Sequence, residues 1–197
     1  METIRSFIAI ELPEGLKDEL IRLVERLRAS SSNSVKWVDP RGIHITLKFL
    51  GSVSSSRIDG IIKAMEESSN TVSPFQLGVT HLGAFPSLSR PRVVWVGLSG
   101  ELEKLQALQK SLDEKLSRLS FSPETRPFTP HLTLARLRET ATPDEIKALG
   151  ELIAKTQYEF TTSIKVDALS LMRSQLTRSG AIYSRQALVP LGGKAGL

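Results

Sequence analysis

His44-Ile45-Thr46-Leu47-Lys48-Phe49-Leu50 and, 87 positions later, His131-Leu132-Thr133-Leu134-Ala135-Arg136-Leu137 share one pattern: His, an apolar residue, Thr, Leu, two variable positions and Leu. The chain has only three histidines, and two of them open these segments. Imidazole is the side chain whose unperturbed pKa lies near neutrality, so a pair can supply a neutral base and a charged acid at one pH. On a strand, residues i and i+2 share a face. His44 then shares a face with Thr46, and His131 with Thr133, while Ile45, Leu47, Leu132 and Leu134 point to the core. Two such strands facing each other across a cleft put imidazoles on opposite sides of a bound atom and offer it two hydroxyl donors. That suits in-line displacement at phosphorus. One imidazole takes a proton from an attacking water and the other protonates the departing sugar oxygen, each contributing about 10²–10⁴-fold. Thr46 and Thr133 hold the non-bridging oxygens as negative charge develops.

No metal enters this chemistry. Two histidines are one short of the three protein ligands a catalytic zinc usually has, and no carboxylate cluster flanks either motif to hold magnesium. The sequence contains no cysteine, which removes thiolate nucleophiles and disulfides as well. Phe49 and Arg136 each lie five positions after a histidine. An aromatic face and a guanidinium plane can sandwich a base. Strict alternation, however, puts both on the face away from the histidines, so this pairing requires a bulge, a strand end or strong twist. Lys48, four after His44, has the parity for the cleft and is an alternative source of positive charge. His81 has no partner motif and reads as an ordinary strand residue. Trp37 and Trp95 sit in apolar strands and read as core. Arg138 reads as a solvated charge at a strand end, Arg136 reads equally as such a charge or as a substrate contact, and Phe49 reads more readily as core than as a base platform.

Strand and helix periodicities alternate along the chain. Ile4 to Leu12 reads as a buried strand ended by Pro13, and Leu16 to Leu27 repeats leucine at helical spacing. Ser30 to Ser34 breaks that helix, Val35 to Val38 is a brief strand, and Asp39-Pro40-Arg41-Gly42 is a turn. Gly51 closes the first motif strand, and Ser54 to Ser56 cap a helix over Arg57–Ser69. Pro74 to Gly83 alternates as a strand, Ala84 to Arg92 is a loop, and Val93 to Leu98 reads as a central strand. A leucine-rich helix over Glu101–Leu119 and a proline-rich loop, Phe121 to Pro130, precede the second motif. Thr142-Pro143-Asp144-Glu145 is a helix start with cap, first-position proline and acids, opening Asp144–Lys155. Phe160 to Met172 reads as a strand with a polar interruption, Ile182 to Leu188 as a last short strand, and Gly192 to Leu197 as a loose tail. In each half a His-x-Thr strand is followed by a helix, the mark of an internal duplication.

The 197 residues, 40% hydrophobic and 24% charged, suffice for a sizeable core and exclude wholesale disorder. No apolar run is long enough for a membrane span, and the first twelve residues lack a signal-peptide layout. Together with the missing cysteines this suits a reducing cytoplasm. A net charge of +5 leans towards an anionic partner such as RNA.

His44-Ile-Thr-Leu-Lys-Phe-Leu-Gly51 and His131-Leu-Thr-Leu-Ala-Arg136 resemble the two signatures of the two-histidine (2H) phosphoesterase superfamily. Within it the chain resembles the bacterial and archaeal RNA 2',3'-cyclic phosphodiesterases, also called 2'-5' RNA ligases. The likeness extends to Arg5-Ser-Phe-Ile-Ala-Ile, to Phe85-Pro86 with Arg90-Pro-Arg-Val-Val-Trp95, and to Leu171–Tyr183 with Ser174 and Gly180-Ala-Ile-Tyr. It covers nearly the whole chain with no departure at a motif position. The resemblance implies an α+β, bilobal, pseudo-twofold fold: one domain over residues 1–197, of two interleaved lobes with antiparallel sheets, helices outside and a central cleft. It implies a monomer with no cofactor that hydrolyses the 2',3'-cyclic phosphate end of RNA to a 2'-phosphomonoester. His44 would be proton donor to the 3' oxygen, His131 proton acceptor from water, Thr46 and Thr133 phosphate ligands, and Arg136 and Phe49 substrate contacts. The residues alone leave open which histidine is acid and which base. They also leave open the reverse 2'-5' ligation, a small cyclic nucleotide as substrate, and an RNA-binding module without turnover.

Overall fold

The computed structural model describes residues 3–177 and 180–192. Its strands form two antiparallel sheets. In chain order the elements are β1 (Thr3–Glu11), α1 (Glu14–Ala29), β2 (Val35–Trp37), β3 (His44–Ser54), α2 (Ile58–Ser69), β4 (Phe75–Phe85), β5 (Val93–Gly100), α3 (Leu102–Arg118), β6 (His131–Leu137), α4 (Pro143–Lys155), β7 (Ile164–Val166), β8 (Ala168–Thr177) and β9 (Gly180–Pro190). One sheet runs β3-β1-β8-β9 and the other β2-β6-β5-β4-β7, so β2 lies in the second sheet between two strands of the first. The α+β architecture with two related antiparallel sheets is as expected, and β5 is the central strand of its sheet.

The leucine spacing explains the helices. Leu16, Leu20, Leu23, Val24 and Leu27 of α1 and Leu105, Leu108, Leu112 and Leu116 of α3 are all buried, each contributing about 1.5–3 kcal/mol. Helix α4 starts with the expected cap, which is a full capping box. Thr142 Oγ1 accepts from the Glu145 amide at 3.3 Å and Glu145 Oε2 accepts from the Thr142 amide at 2.8 Å, with Pro143 behind the cap. Residues of both sheets and all four of these helices join one apolar cluster.

The structure corrects several expectations. Strand β3 does not stop at Gly51: it passes through that glycine, at φ 70°, and runs to Ser54 with a shift of register against β1. Glycine adopts this left-handed conformation without the steric cost of a Cβ. Ser55–Arg57 form a turn of 3₁₀-helix, and α2 begins behind Arg57 without a side-chain cap. The strand expected over Phe160–Met172 is two strands in different sheets, β7 on β4 and β8 on β1. Residues 156–163 are irregular. The cause is Glu19, a carboxylate in α1 with 4% exposure. It accepts from the amides of Thr161 and Thr162 at 3.0 and 2.9 Å and from both hydroxyls, so these groups are satisfied without a strand neighbour. Strand β9 extends beyond Ile182–Leu188 at both ends because it pairs along β8. Of the expected tail, Gly192 donates its amide to Ser69 O at 3.0 Å, and 193–197 lie outside the described residues.

Candidate active site

Strand β3 is the edge of its sheet, whereas β6 lies between β2 and β5, and the two strands approach each other. A cleft of about 820 Å³ lies between them, lined by His44, Thr46, Phe49, His131, Thr133 and Arg136. Every expected site residue therefore reaches one space.

Both motifs show the same sequence of burial. Ile45, Leu47, Lys48 and Leu50 are buried, and so are Leu132, Leu134, Ala135 and Leu137. Two adjacent buried residues break strict alternation, and the pairing shows why. Ala9 faces Thr46 and Ile8 faces Lys48, leaving Leu47 unmatched. Trp95 faces Thr133 and Val94 faces Ala135, leaving Leu134 unmatched. A bulge at the leucine of each motif inverts parity beyond it. Phe49 and Arg136 are thereby delivered to the histidine face, and Phe49 is 69% exposed.

The same inversion removes Lys48 from the role its parity suggested. Its side chain is only 6% exposed and forms an ion pair with Asp113 of α3. It also donates to Ser122 O at 2.7 Å. Its charge is neutralised at the floor of the cleft.

Each imidazole is held the same way. His44 Nδ1 lies 2.8 Å from Gly42 O, and His131 Nδ1 lies 2.7 Å from Thr129 O. A carbonyl oxygen only accepts, so Nδ1 carries hydrogen in both rings and donates it. Nε2 is then the nitrogen left for chemistry. Asp39 builds the first of these carbonyl turns by accepting from the Arg41 amide at 3.0 Å.

The two rings differ in surroundings. His44 stacks on Phe7 at 4.6 Å and 26° and meets the edge of Tyr183 at 5.2 Å. Burial pushes its pKa below the ordinary histidine value, opposed by the Gly42 carbonyl and by the Glu11 carboxylate. Glu11 is its partner across the β1–β3 ladder. His131 meets the edge of Phe85 at 5.0 Å.

Phe7, Phe85 and Tyr183 were not singled out from sequence, although each belongs to a short segment carrying the family likeness. Their signal was their place in those segments; their convergence on the histidines needed the fold. Trp95, expected in the core, instead packs behind Phe85 at 5.1 Å and beside His81 at 5.9 Å. It shares a face with Thr133, its ladder partner. Gly83 makes room for it, since a Cβ there would meet the indole at 2.3 Å. Trp37 packs against the core and donates Nε1 to Ser31 Oγ at 3.1 Å. Among the described residues, no three His, Cys, Asp or Glu side chains converge as a metal site, and no helix is long and apolar enough to cross a membrane.

Two sheets bringing paired His-x-Thr strands to one cleft are the architecture of a two-histidine phosphoesterase. The family model described as the 2'-5' RNA ligase superfamily matches residues 16–178, and the chain belongs to that superfamily. It is 35% identical to an RNA 2',3'-cyclic phosphodiesterase of Methanothermobacter thermautotrophicus, covering 92% of this chain and 95% of that one. It is 30% identical to an RNA 2',3'-cyclic phosphodiesterase of Aquifex aeolicus, covering 98% and 100%. Among solved structures, E. coli LigT complexed with 3'-AMP is similar with a TM-score of 0.73 and 26% identity, over 96% of this chain and 99% of that one. A protein of Thermus thermophilus shares the fold with a TM-score of 0.76 at 24% identity, over 97% and 100% of the two chains.

Proposed function

We propose that the chain hydrolyses the 2',3'-cyclic phosphate end of RNA to a 2'-phosphomonoester by acid–base catalysis between His44 and His131, without a metal. The observation that carries this reading is the matched pair of imidazoles. Both are held at Nδ1 by a backbone carbonyl two residues earlier, both leave Nε2 free, and both line the cleft that Thr46 and Thr133 also line. The relatives named RNA 2',3'-cyclic phosphodiesterase support the substrate class.

In the proposed step His131 Nε2 takes a proton from water as the water oxygen bonds to phosphorus. The phosphorus–O3' bond breaks, and His44 Nε2–H gives its proton to O3'. The product carries a 2'-phosphate and a free 3'-hydroxyl, and solvent exchanges the protons to reset both rings. Burial favours the neutral form of His44. A bound phosphate anion, added to Glu11, favours the charged form. The acid is thus loaded by its own substrate, and its low intrinsic affinity for the proton eases release to O3'. Thr46 and Thr133 donate to the non-bridging oxygens, while Phe49 and Arg136 flank the terminal base.

Mass analysis of the products from an oligonucleotide ending in a 2',3'-cyclic phosphate tests this, with EDTA present throughout. The expected product is the 2'-phosphate. His44→Gln and His131→Gln should each lower kcat by about 10²-fold or more while keeping the fold and RNA binding. A 3'-phosphate would reverse the leaving group. A preference for cyclic mononucleotides would move the substrate class, and a 5'-hydroxyl acceptor giving mainly ligated product would reverse the net reaction. Unaltered behaviour in both variants would leave an RNA-binding module.

A further inference from the structure

Between α3 and β6 the chain runs through residues 121–130 without helix or strand. Glu124, Thr125, Arg126, Pro127, Phe128 and Thr129 nevertheless form a wall of the cleft. The segment ends in the Thr129 carbonyl that holds His131 Nδ1. Something has to hold this wall, and the contacts identify it. Lys48 Nζ donates to Ser122 O at 2.7 Å and pairs with Asp113. Asp113 Oδ1 and Oδ2 accept from the Glu124 amide at 3.2 and 3.1 Å. Glu124 Oε1 in turn accepts from the Arg126 amide at 3.3 Å. Beyond that point Pro127 and Pro130 restrict φ, and Phe128 packs against the core, so restraint at 122–126 carries on to Thr129.

We propose that Lys48 and Asp113 are positioning residues that clamp the 122–130 wall and thereby fix the tautomer and orientation of His131. The first motif in this way builds part of the second. The inference concerns the site proposed above and rests on His131 acting there through Nε2.

The chemistry of the pair fits this task better than a stabilising one. A buried ion pair is often no more stabilising than apolar residues of the same volume, because desolvation offsets the attraction. An apolar pair, however, cannot bond a specific carbonyl and a specific amide. Lys48 and Asp113 together satisfy one of each on Ser122 and Glu124, and those bonds are directional. The bulge at Leu47 puts Lys48 on the buried face, opposite Ile8, where α3 is within reach. His44 supplies the internal control, since its own carbonyl comes from Gly42 in a different segment.

Imidazole nitrogen NMR and amide hydrogen exchange test the clamp on the full chain without reference to activity, with His131 assigned by loss of its signal in His131→Gln. In Lys48→Met, and more mildly in Asp113→Asn, exchange of the amides between 123 and 129 should rise at least tenfold. Neutral His131 should become a mixture of Nδ1–H and Nε2–H forms while His44 stays Nδ1–H. Lys48→Arg should restore the single tautomer. Hydrolysis of the cyclic-phosphate oligonucleotide should lose kcat, KM changing less. Unchanged exchange at 123–129 would overturn the proposal. A loosened wall with an unaltered His131 tautomer would overturn it too, as would equal disturbance of His44 and His131. If Lys48→Met does not fold, Asp113→Asn decides by the same readings. A wild-type chain inactive on the oligonucleotide would refute the proposed function but leave this measurement intact.

Discussion

Removing the ring of Phe7 should loosen the surroundings of His44 and raise its proton affinity together. Phe7 is 3% exposed and stacks on His44, with Phe49 at 6.2 Å and Tyr183 at 5.2 Å around it. It belongs to a small cluster with Ala9 and Met172, separate from the main core. Phe→Ala in a closed core costs about 3–5 kcal/mol through lost transfer energy and the cavity left behind. This cluster borders the open cleft, where water can enter the vacated volume, so Phe7→Ala should fall near the low end, about 3 kcal/mol. The same water reaches the imidazole. Desolvation is the leading cause of the depressed His44 pKa, so that pKa should rise towards the ordinary histidine value. The linked stability changes with it. In the wild type the folded state holds the His44 proton less tightly than the unfolded chain. Its contribution is present above the unfolded histidine pKa and is lost as pH falls through the folded one; in Phe7→Ala this dependence should flatten. Denaturant melts across that pH range, with NMR titration of His44, read both effects. A His44 pKa that stays low or falls further in Phe7→Ala would refute the desolvation argument, whatever the loss of stability.

Phe49→Ala and Arg136→Ala should each raise KM for the oligonucleotide several-fold with little loss of stability, because both side chains are exposed in the cleft. Steady-state kinetics beside thermal melts check this, and a fall in kcat alone would place them elsewhere in the cycle. Glu19→Ala should cost about 1–3 kcal/mol by removing the acceptor of the Thr161 and Thr162 amides and hydroxyls, which lie at the edge of the core. Burial tends to raise the Glu19 pKa, yet the hydroxyls and amides of Thr162 and Thr161 outweigh it and lower the pKa below the ordinary carboxylate value. Its stabilisation is therefore present above the unfolded carboxylate pKa and lost as pH falls through the folded one. Acid melts of the wild type and Glu19→Gln should show this dependence only in the wild type.

Much of this protein was readable from local pattern. The leucine repeats of α1 and α3, the cap at Thr142-Pro143 and the two His-x-Thr segments each depend on residues within a few positions of one another. Period and capping chemistry report such relations directly. The strand over Phe160–Met172 failed for the opposite reason. Its division depends on Glu19, more than 140 positions away, and no local period registers that.

The same division runs through the site. Sequence alone singled out the side chains proposed for the chemistry, because paired His-x-Thr on strands aligns an imidazole with a hydroxyl whatever the neighbours are. Only the tertiary structure decided the fates of Phe49, Arg136 and Lys48. Bulges at Leu47 and Leu134 appear only in the pairing with β1 and β5, and one unmatched residue exchanges the two faces of a strand for everything beyond it. It likewise decided that Phe7, Phe85 and Tyr183 enclose the imidazoles, and that a carbonyl orients each ring. These relations join residues far apart in the chain, and packing alone brings them together.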